Sequence, residues 1–242
     1  MQGNDRNGFL RRLTRRAAAA TAAAAMVAGA GVLAARAAER AVEIPPAAMT
    51  EPAAQGPQTV VLAGGCFWGV QGVYQHVKGV ESAVSGYTGG TTASPTYHEV
   101  STGRTGHAES VKVTFDPAKV SYGRILQIFF SVVQDPTQLD RQGPDTGTQY
   151  RSAIFTTTAA QRKVADAYIA QLDKAGVWKR PIVTTVQPLG RFYEAEAYHQ
   201  DYATLHPDQP YIALNDIPKI DALKRMFPAN YRANPVTVAA AQ

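Results

Sequence analysis

The 242-residue chain carries a formal charge of +5, which taken alone would favour a nucleic-acid or membrane partner. Residues 1–38 hold six arginines against Asp5 alone, and the remainder is neutral with 18 basic and 18 acidic residues, so the charge argues for no nucleic-acid ligand. The single cysteine, Cys66, excludes an intramolecular disulfide, a dithiol motif and a cysteine-rich metal site.

Residues 1–16 are polar and arginine-rich and end in Arg15-Arg16. Ala17–Ala35 then run for 19 residues without a charge, and Ala35-Arg36-Ala37 offers an A-x-A cleavage signal. This layout predicts an export signal peptide over 1–37 and a periplasmic or exported destination. The arginine pairs point to the twin-arginine route, although Arg15-Arg16 lacks the flanking residues such signals usually carry. An uncleaved membrane anchor through residues 17–35 is the competing reading. Residues 38–58 contain Pro45-Pro46, Pro52 and Pro57 among alanines, and read as a disordered Pro/Ala-rich linker with nothing to bury.

The globular domain is expected over 59–231, followed by a flexible tail at 232–242. Val60, Val61 and Leu62 read as a buried strand, Gly64-Gly65 as a sharp turn, and Val70–His76 as the first helix. Cys66 therefore stands at a strand-to-helix junction, where free N–H groups and the helix dipole favour a thiolate. The plainer reading is a buried cysteine acting as a small hydrophobe. Phe67 and Trp68 argue against it, because one helix cannot bury two adjacent large rings against a single layer.

Val80–Val84 is a second strand, and Thr91–Gly106 is a long aperiodic loop, a feature that is often functional. Ser110–Phe115 alternates as a strand with Glu109 at its start. Val120–Val133 has the apolar face of an amphipathic helix. Asp135–Thr148 is a second polar loop, Gln149–Thr156 a strand, and Thr157–Ala175 a helix capped by Thr157 or Thr158. Pro181–Val186 is the last strand, Glu194–Thr204 a helix, and Lys219–Met226 a short helix in a loop-rich end. The order predicts an α+β fold, a two-layer ferredoxin-like (split βαβ) plait with a C-terminal extension.

The two loops bring Tyr97, Glu109, Asp145 and Tyr150 into play. A buried glutamate has a raised pKa and serves as an acid at neutral pH, and tyrosine hydroxyls donate to a developing negative oxygen. Each has a structural alternative: Glu109 in a salt bridge, Asp145 in a turn, the tyrosines at core edges. No histidine among His76, His98, His107, His199 and His206 is singled out as the base that a thiol hydrolase needs.

Gly65-Cys66-Phe67-Trp68-Gly69, Gly86-Tyr87-Thr88-Gly89-Gly90, Pro95-Thr96-Tyr97, Gly106-His107-Ala108-Glu109 and Gly147-Thr148-Gln149-Tyr150-Arg151-Ser152 together resemble the A-type peptide methionine sulfoxide reductase family, in its order and at compatible spacing. The resemblance covers roughly Val60 to Ala213. It implies Cys66 as nucleophile, Glu109 as the carboxyl group that delivers a proton to the sulfoxide oxygen, and Tyr97 and Tyr150 as hydroxyls around that oxygen. It implies Asp145 as a pocket carboxylate acting through water, and Phe67 and Trp68 as the walls that hold the substrate methyl group. The implied activity is reduction of methionine S-sulfoxide, free or peptidyl, through a Cys66 sulfenic acid. Many members carry further C-terminal cysteines that resolve this intermediate. Pro207–Gln242 has none and resembles the single-cysteine branch. The implied partners are oxidised proteins or free methionine sulfoxide and an external thiol, thioredoxin-like or of low molecular weight. No bound cofactor or metal is implied, and a monomer is the default. A catalytically idle sulfoxide-binding module is the runner-up, since it would tolerate loss of Cys66.

Overall fold

The computed structural model describes residues 40–51 and 56–238. The signal peptide expected over 1–37 and the competing anchor through 17–35 both fall outside the described residues.

The β-rich run expected after the linker forms β1 (Gln58–Gly64), whose Val60–Gly64 are buried on both faces. Such a strand belongs in the middle of a sheet. It pairs antiparallel with β3 (Ala108–Phe115) on one side, Leu62 opposite Val111, and with β6 (Ser152–Thr156) on the other, Leu62 opposite Ile154. β2 (Val80–Thr88) pairs antiparallel with β3 and places Tyr87 opposite Glu109. The order β6-β1-β3-β2 is that of the split βαβ plait. Two edges extend it: β7 (Thr185–Pro188) lies parallel to β6, and β8 (Tyr193–Glu194) antiparallel to β2. A separate two-residue hairpin, β4 (Arg141–Gln142) with β5 (Asp145–Thr146), orders the second polar loop.

The alternation of β1 divides the core. Val60 and Leu62 join the large cluster with the helices, whereas Val61 and Ala63 meet Ala153 and Phe155 in a small one covered by Leu189 and Phe192. The helices α1 (Phe67–Gln75), α3 (Tyr122–Ile128) and α4 (Ala159–Ala175) belong to the first layer. Thr158 caps α4 by accepting from the Gln161 N–H at 3.0 Å, and Gly176 ends it at φ +63°. Val120–Val133 is not one regular helix: after α3 the chain widens into a π-helical turn, Phe129–Val133, all five residues buried. The first long loop holds a short helix, α2 (Tyr97–Ser101), started by a capping box between Thr96 and Glu99.

Three expected elements are corrected. The strand drawn from Gln149 begins at Ser152, because Thr148–Tyr150 is a 3₁₀ turn. The last strand is shifted from Pro181–Val186 to Thr185–Pro188. Glu194–Thr204 is not a helix but β8, a 3₁₀ turn (Ala197–His199) and the single turn α5 (Tyr202–Leu205). Its backbone is claimed by distant groups: the Ser85 carbonyl accepts the Ala195 N–H at 2.9 Å, and Gln71 Oε1 accepts the Asp201 N–H at 2.9 Å. Asp201 sits at φ +59°, which breaks any continuous helix. A second π-helical turn, Ile212–Asp216, leads into α6 (Ile217–Met226).

The linker reading of residues 38–58 fails over its described first part. Ile44 is buried in the main core, and Val42 and Ser131 exchange two bonds, N–H to carbonyl at 2.9 Å and hydroxyl to carbonyl at 2.6 Å. Gln127, Tyr168 and Gln171 donate to the carbonyls of Ile44, Pro45 and Pro46. Prolines suit a strap whose carbonyls bond to side chains, since they need no N–H partner of their own. The tail is likewise fastened through residue 238. Arg232 donates to the Val77 and Val80 carbonyls, the Val236 N–H to the Gln75 carbonyl, and the Val238 N–H to Asp201.

Candidate active site

β1 delivers the chain to the site through Gly64 and Gly65. Gly65 has φ +94°, and a side chain there would meet Gln142 Cβ at 2.7 Å, so only glycine fits the turn. Cys66 follows as the N-cap of α1 and keeps partial solvent contact. Two helix-start N–H groups are thereby available, and they are divided. The Phe67 N–H donates to Glu109 Oε2 at 3.0 Å, and the Trp68 N–H is directed at the Cys66 sulfur.

The expected thiolate does not follow. Burial pushes the Cys66 thiol well above its usual range, Glu109 (once ionised), Asp216 and Asp145 push it further, and the Trp68 N–H only partly opposes them. The resting group is a neutral thiol. The helix terminus favours an anion, but its first N–H serves Glu109 and three acids face the sulfur.

Glu109, the second residue of β3, is 2% exposed. Burial raises its carboxyl to about 8, with Asp145 and Asp216 adding and the Phe67 N–H opposing. At neutral pH it is a carboxylic acid. Oε2 is engaged as an acceptor, which leaves Oε1 to carry the proton.

The two irregular loops are stapled together beside it. Thr148 Oγ1 donates to the Gly103 carbonyl at 3.0 Å, Gln149 Nε2 to the Ser101 carbonyl at 3.2 Å, and the Arg151 guanidinium to the Gly106 carbonyl at 2.9 Å. This staple sets Tyr150, at the end of its 3₁₀ turn, near Tyr97, the first residue of α2. Burial raises both phenols, with Glu109 adding, so both remain O–H donors. Asp145 in β5 accepts a hydrogen bond from the Tyr211 hydroxyl, and burial raises its carboxyl above the usual value.

Phe67 and Trp68 part to opposite surroundings. Phe67 is fully buried against Tyr87, Tyr97 and His199, with ring centroids 5.8, 6.4 and 5.1 Å away. Trp68 turns outward onto the C-terminal segment. It stacks on Tyr202 at 4.1 Å, meets the edge of Tyr211 at 6.2 Å, and donates from Nε1 to His199 Nδ1 at 3.2 Å. That bond fixes a neutral His199, consistent with burial lowering its pKa.

All seven residues singled out in the sequence thus converge at the start of α1. Missing from that reading were Tyr202, Tyr211, His199 and Asp216. Asp216 is fully buried at the end of its π turn, against Gly69 of α1, where an added Cβ would lie 2.2 Å from Oδ1. The signal for it was an acid, beside Asn215, set between the apolar Ile212-Ala213-Leu214 and Ile217-Pro218; Tyr202 was hidden by its four-residue spacing from Tyr198, which mimics a helix. His107 is a loop brace, accepting the Gly90 N–H at 3.2 Å and bonding the Thr92 carbonyl at 2.8 Å, and so is no base for the thiol.

One thiol, one protonated acid and an aromatic box on a split βαβ plait define a thiol oxidoreductase that acts on a small apolar group bearing a basic oxygen. The family model for peptide methionine sulfoxide reductase matches residues 58–231. A peptide methionine sulfoxide reductase of Mesorhizobium japonicum is 58% identical over 193 residues, covering 80% of this chain and 99% of its own. One from Synechocystis is 46% identical over 192 residues, covering 79% and 88%. Among solved structures, methionine sulfoxide reductase A of Corynebacterium diphtheriae is 34% identical at a TM-score of 0.55, covering 71% of this chain and 89% of that one. Reduced Mxr1 of Saccharomyces cerevisiae is 30% identical at 0.57, covering 67% and 92%. The chain belongs to the peptide methionine sulfoxide reductase family. Its activity is the thiol-based reduction of methionine S-sulfoxide to methionine, a repair of oxidised protein.

Proposed function

We propose that Cys66 is the nucleophile and Glu109 the proton donor of this reduction. The observation that carries the reading is the bond from the Phe67 N–H to Glu109 Oε2, which sets a buried neutral acid one residue from the thiol. The sulfoxide oxygen is basic, and a proton from Glu109 together with O–H donation from Tyr97 and Tyr150 makes the sulfur electrophilic. Cys66 sulfur attacks as its own proton passes back to Glu109. The sulfur–sulfur bond so formed and the S–O bond of the sulfoxide then break as the hydroxyl passes to the Cys66 sulfur, which becomes a sulfenic acid, and methionine leaves. The substrate gains two electrons and Cys66 loses two. Phe67 and Trp68 hold the S-methyl group, and Asp145 orders water beside the oxygen.

Recycling needs two equivalents of an outside thiol, thioredoxin-like or of low molecular weight. The first displaces water from the sulfenic acid to give a mixed disulfide, and the second releases Cys66 as thiol. The absence of a second cysteine in the chain supports this route. The test uses separated epimers of a methionine sulfoxide peptide. Without reductant, one methionine per protein is expected from the S epimer, with a 16-Da gain on Cys66. With dithiothreitol, turnover continues. No conversion of the S epimer, or conversion undiminished in Cys66→Ser, overturns the assignment.

A further inference from the structure

Glu196 has no part in the chemistry just described, yet both of its carboxylate oxygens are committed beside the site. Oε1 accepts the N–H of Tyr97, the first residue of α2, at 2.8 Å. Oε2 accepts the hydroxyl of Tyr87, also at 2.8 Å. The neighbouring Ala195 N–H bonds the Ser85 carbonyl at 2.9 Å, so the residue before Glu196 is itself tied to β2. Burial opposes ionisation of Glu196, but the Tyr97 N–H and Tyr87 hydroxyl outweigh it and hold the carboxyl below the usual range.

Both clasped tyrosines press on the pocket. Tyr87 is fully buried, lies opposite Glu109 in the β2–β3 register, and packs 5.8 Å from Phe67. Tyr97 stacks 6.4 Å from Phe67 and lies 4.3 Å from His199, the acceptor of the Trp68 indole. A five-residue helix such as α2 cannot hold its own position, because one turn does not repay the cost of nucleation. Its far end is tied to the second loop by the staple; its near end is held by Glu196.

We propose that Glu196 is a positioning residue for sulfoxide reduction. It clamps the start of α2 to β2, and so fixes where the Tyr97 hydroxyl stands relative to Cys66 and which rings close on Phe67. The inference rests on the assignment of Tyr97 to the sulfoxide oxygen, and the experiment separates the two.

The test is a double-mutant cycle with Glu196→Ala and Tyr97→Phe, read as kcat and KM for the S-epimer peptide under saturating dithiothreitol. Each single substitution is expected to lower kcat about 10-fold, in line with loss of a hydrogen bond to a charged group or a transition-state donor. In the double variant the losses are expected not to multiply, because a misplaced Tyr97 has no hydroxyl role left to lose. Glu196→Gln, which still accepts the Tyr97 N–H, is expected to keep most of the activity. Tyr87→Phe removes one clasp with its ring in place and is expected to lower kcat about 3-fold; it keeps the test alive if Glu196→Ala does not fold. Losses that multiply, or an unchanged kcat in both Glu196→Ala and Tyr87→Phe, overturn the proposal. If Tyr97→Phe alone is silent, the Tyr97 assignment fails. The clamp then stands on a Glu196→Ala loss restored by glutamine, and falls without one.

Discussion

Replacing Glu109 by glutamine separates what burial does for chemistry from what it costs the fold. With its carboxyl at about 8, Glu109 is about 90% protonated at pH 7; at the ordinary 4.5 it would be about 0.3% protonated. Burial thus multiplies the available acid by about 300. The same shift bears on stability. The folded state holds its proton up to about pH 8, whereas the unfolded chain releases it near 4.5. Between those values the folded state binds more protons, so stability falls as pH rises, by about 1.4 kcal/mol per unit. From pH 4.5 to 7 this one group accounts for about 3 kcal/mol of lost stability. Glutamine keeps an oxygen for the Phe67 N–H but neither titrates nor gives up a proton. Glu109→Gln is therefore expected to lower kcat/KM about 10²-fold or more. Wild-type activity is expected to fall with one-proton dependence above about pH 8, a limb absent from the variant. Urea titrations from pH 5 to 8 are expected to show a shallower loss of stability in the variant. An active Glu109→Gln that retains the alkaline limb, or identical stability slopes in both proteins, would refute the reasoning.

Four further outcomes are expected. Gly69→Ala, which in an ordinary helix interior gains up to about 1 kcal/mol, is expected to destabilise here, because its Cβ would strike the Asp216 carboxylate; a raised melting temperature would contradict this contact. Tyr211→Phe removes the donor to Asp145 and the edge contact on Trp68, and is expected to lower kcat/KM about 5-fold, with unchanged rates counting against a role for Asp145. Ile44→Ala is expected to cost about 2 kcal/mol in denaturant unfolding, the low end for a core isoleucine because the strap can settle; no change would mean the strap is not docked in solution. Signal cleavage is expected after Ala37, which leaves the strap from Arg40 onward on the mature chain, and N-terminal sequencing of exported protein checks it.

Most of the catalytic end was legible because its residues lie in short motifs at strand ends and turns. Gly65 announces a turn that only glycine can make, and Glu109 opens a strand whose alternation is clear. The C-terminal contribution was not legible. Tyr198 and Tyr202 are spaced as on a helix, but Gln71 and Ser85 claim the Asp201 and Ala195 N–H groups of that segment from far along the chain. The protonation of Cys66 escapes a local reading for the same reason: the helix dipole favours the thiolate, and burial first, then the acids Glu109, Asp216 and Asp145, all distant in sequence, reverse it. The strap was misread because composition counts apolar side chains, while residues 42–46 are held chiefly by their carbonyls.

The solitary thiol at the head of α1 also dictates the order of traffic through the pocket. Thioether product and incoming reductant must reach the same sulfur atom, beside the same indole of Trp68, and no second thiol relays between them. Methionine therefore has to depart before the reductant enters, which is a ping-pong sequence. Double-reciprocal plots at several thiol concentrations should run parallel. High sulfoxide should cause no loss of rate unless it occupies the oxidised enzyme ahead of the thiol.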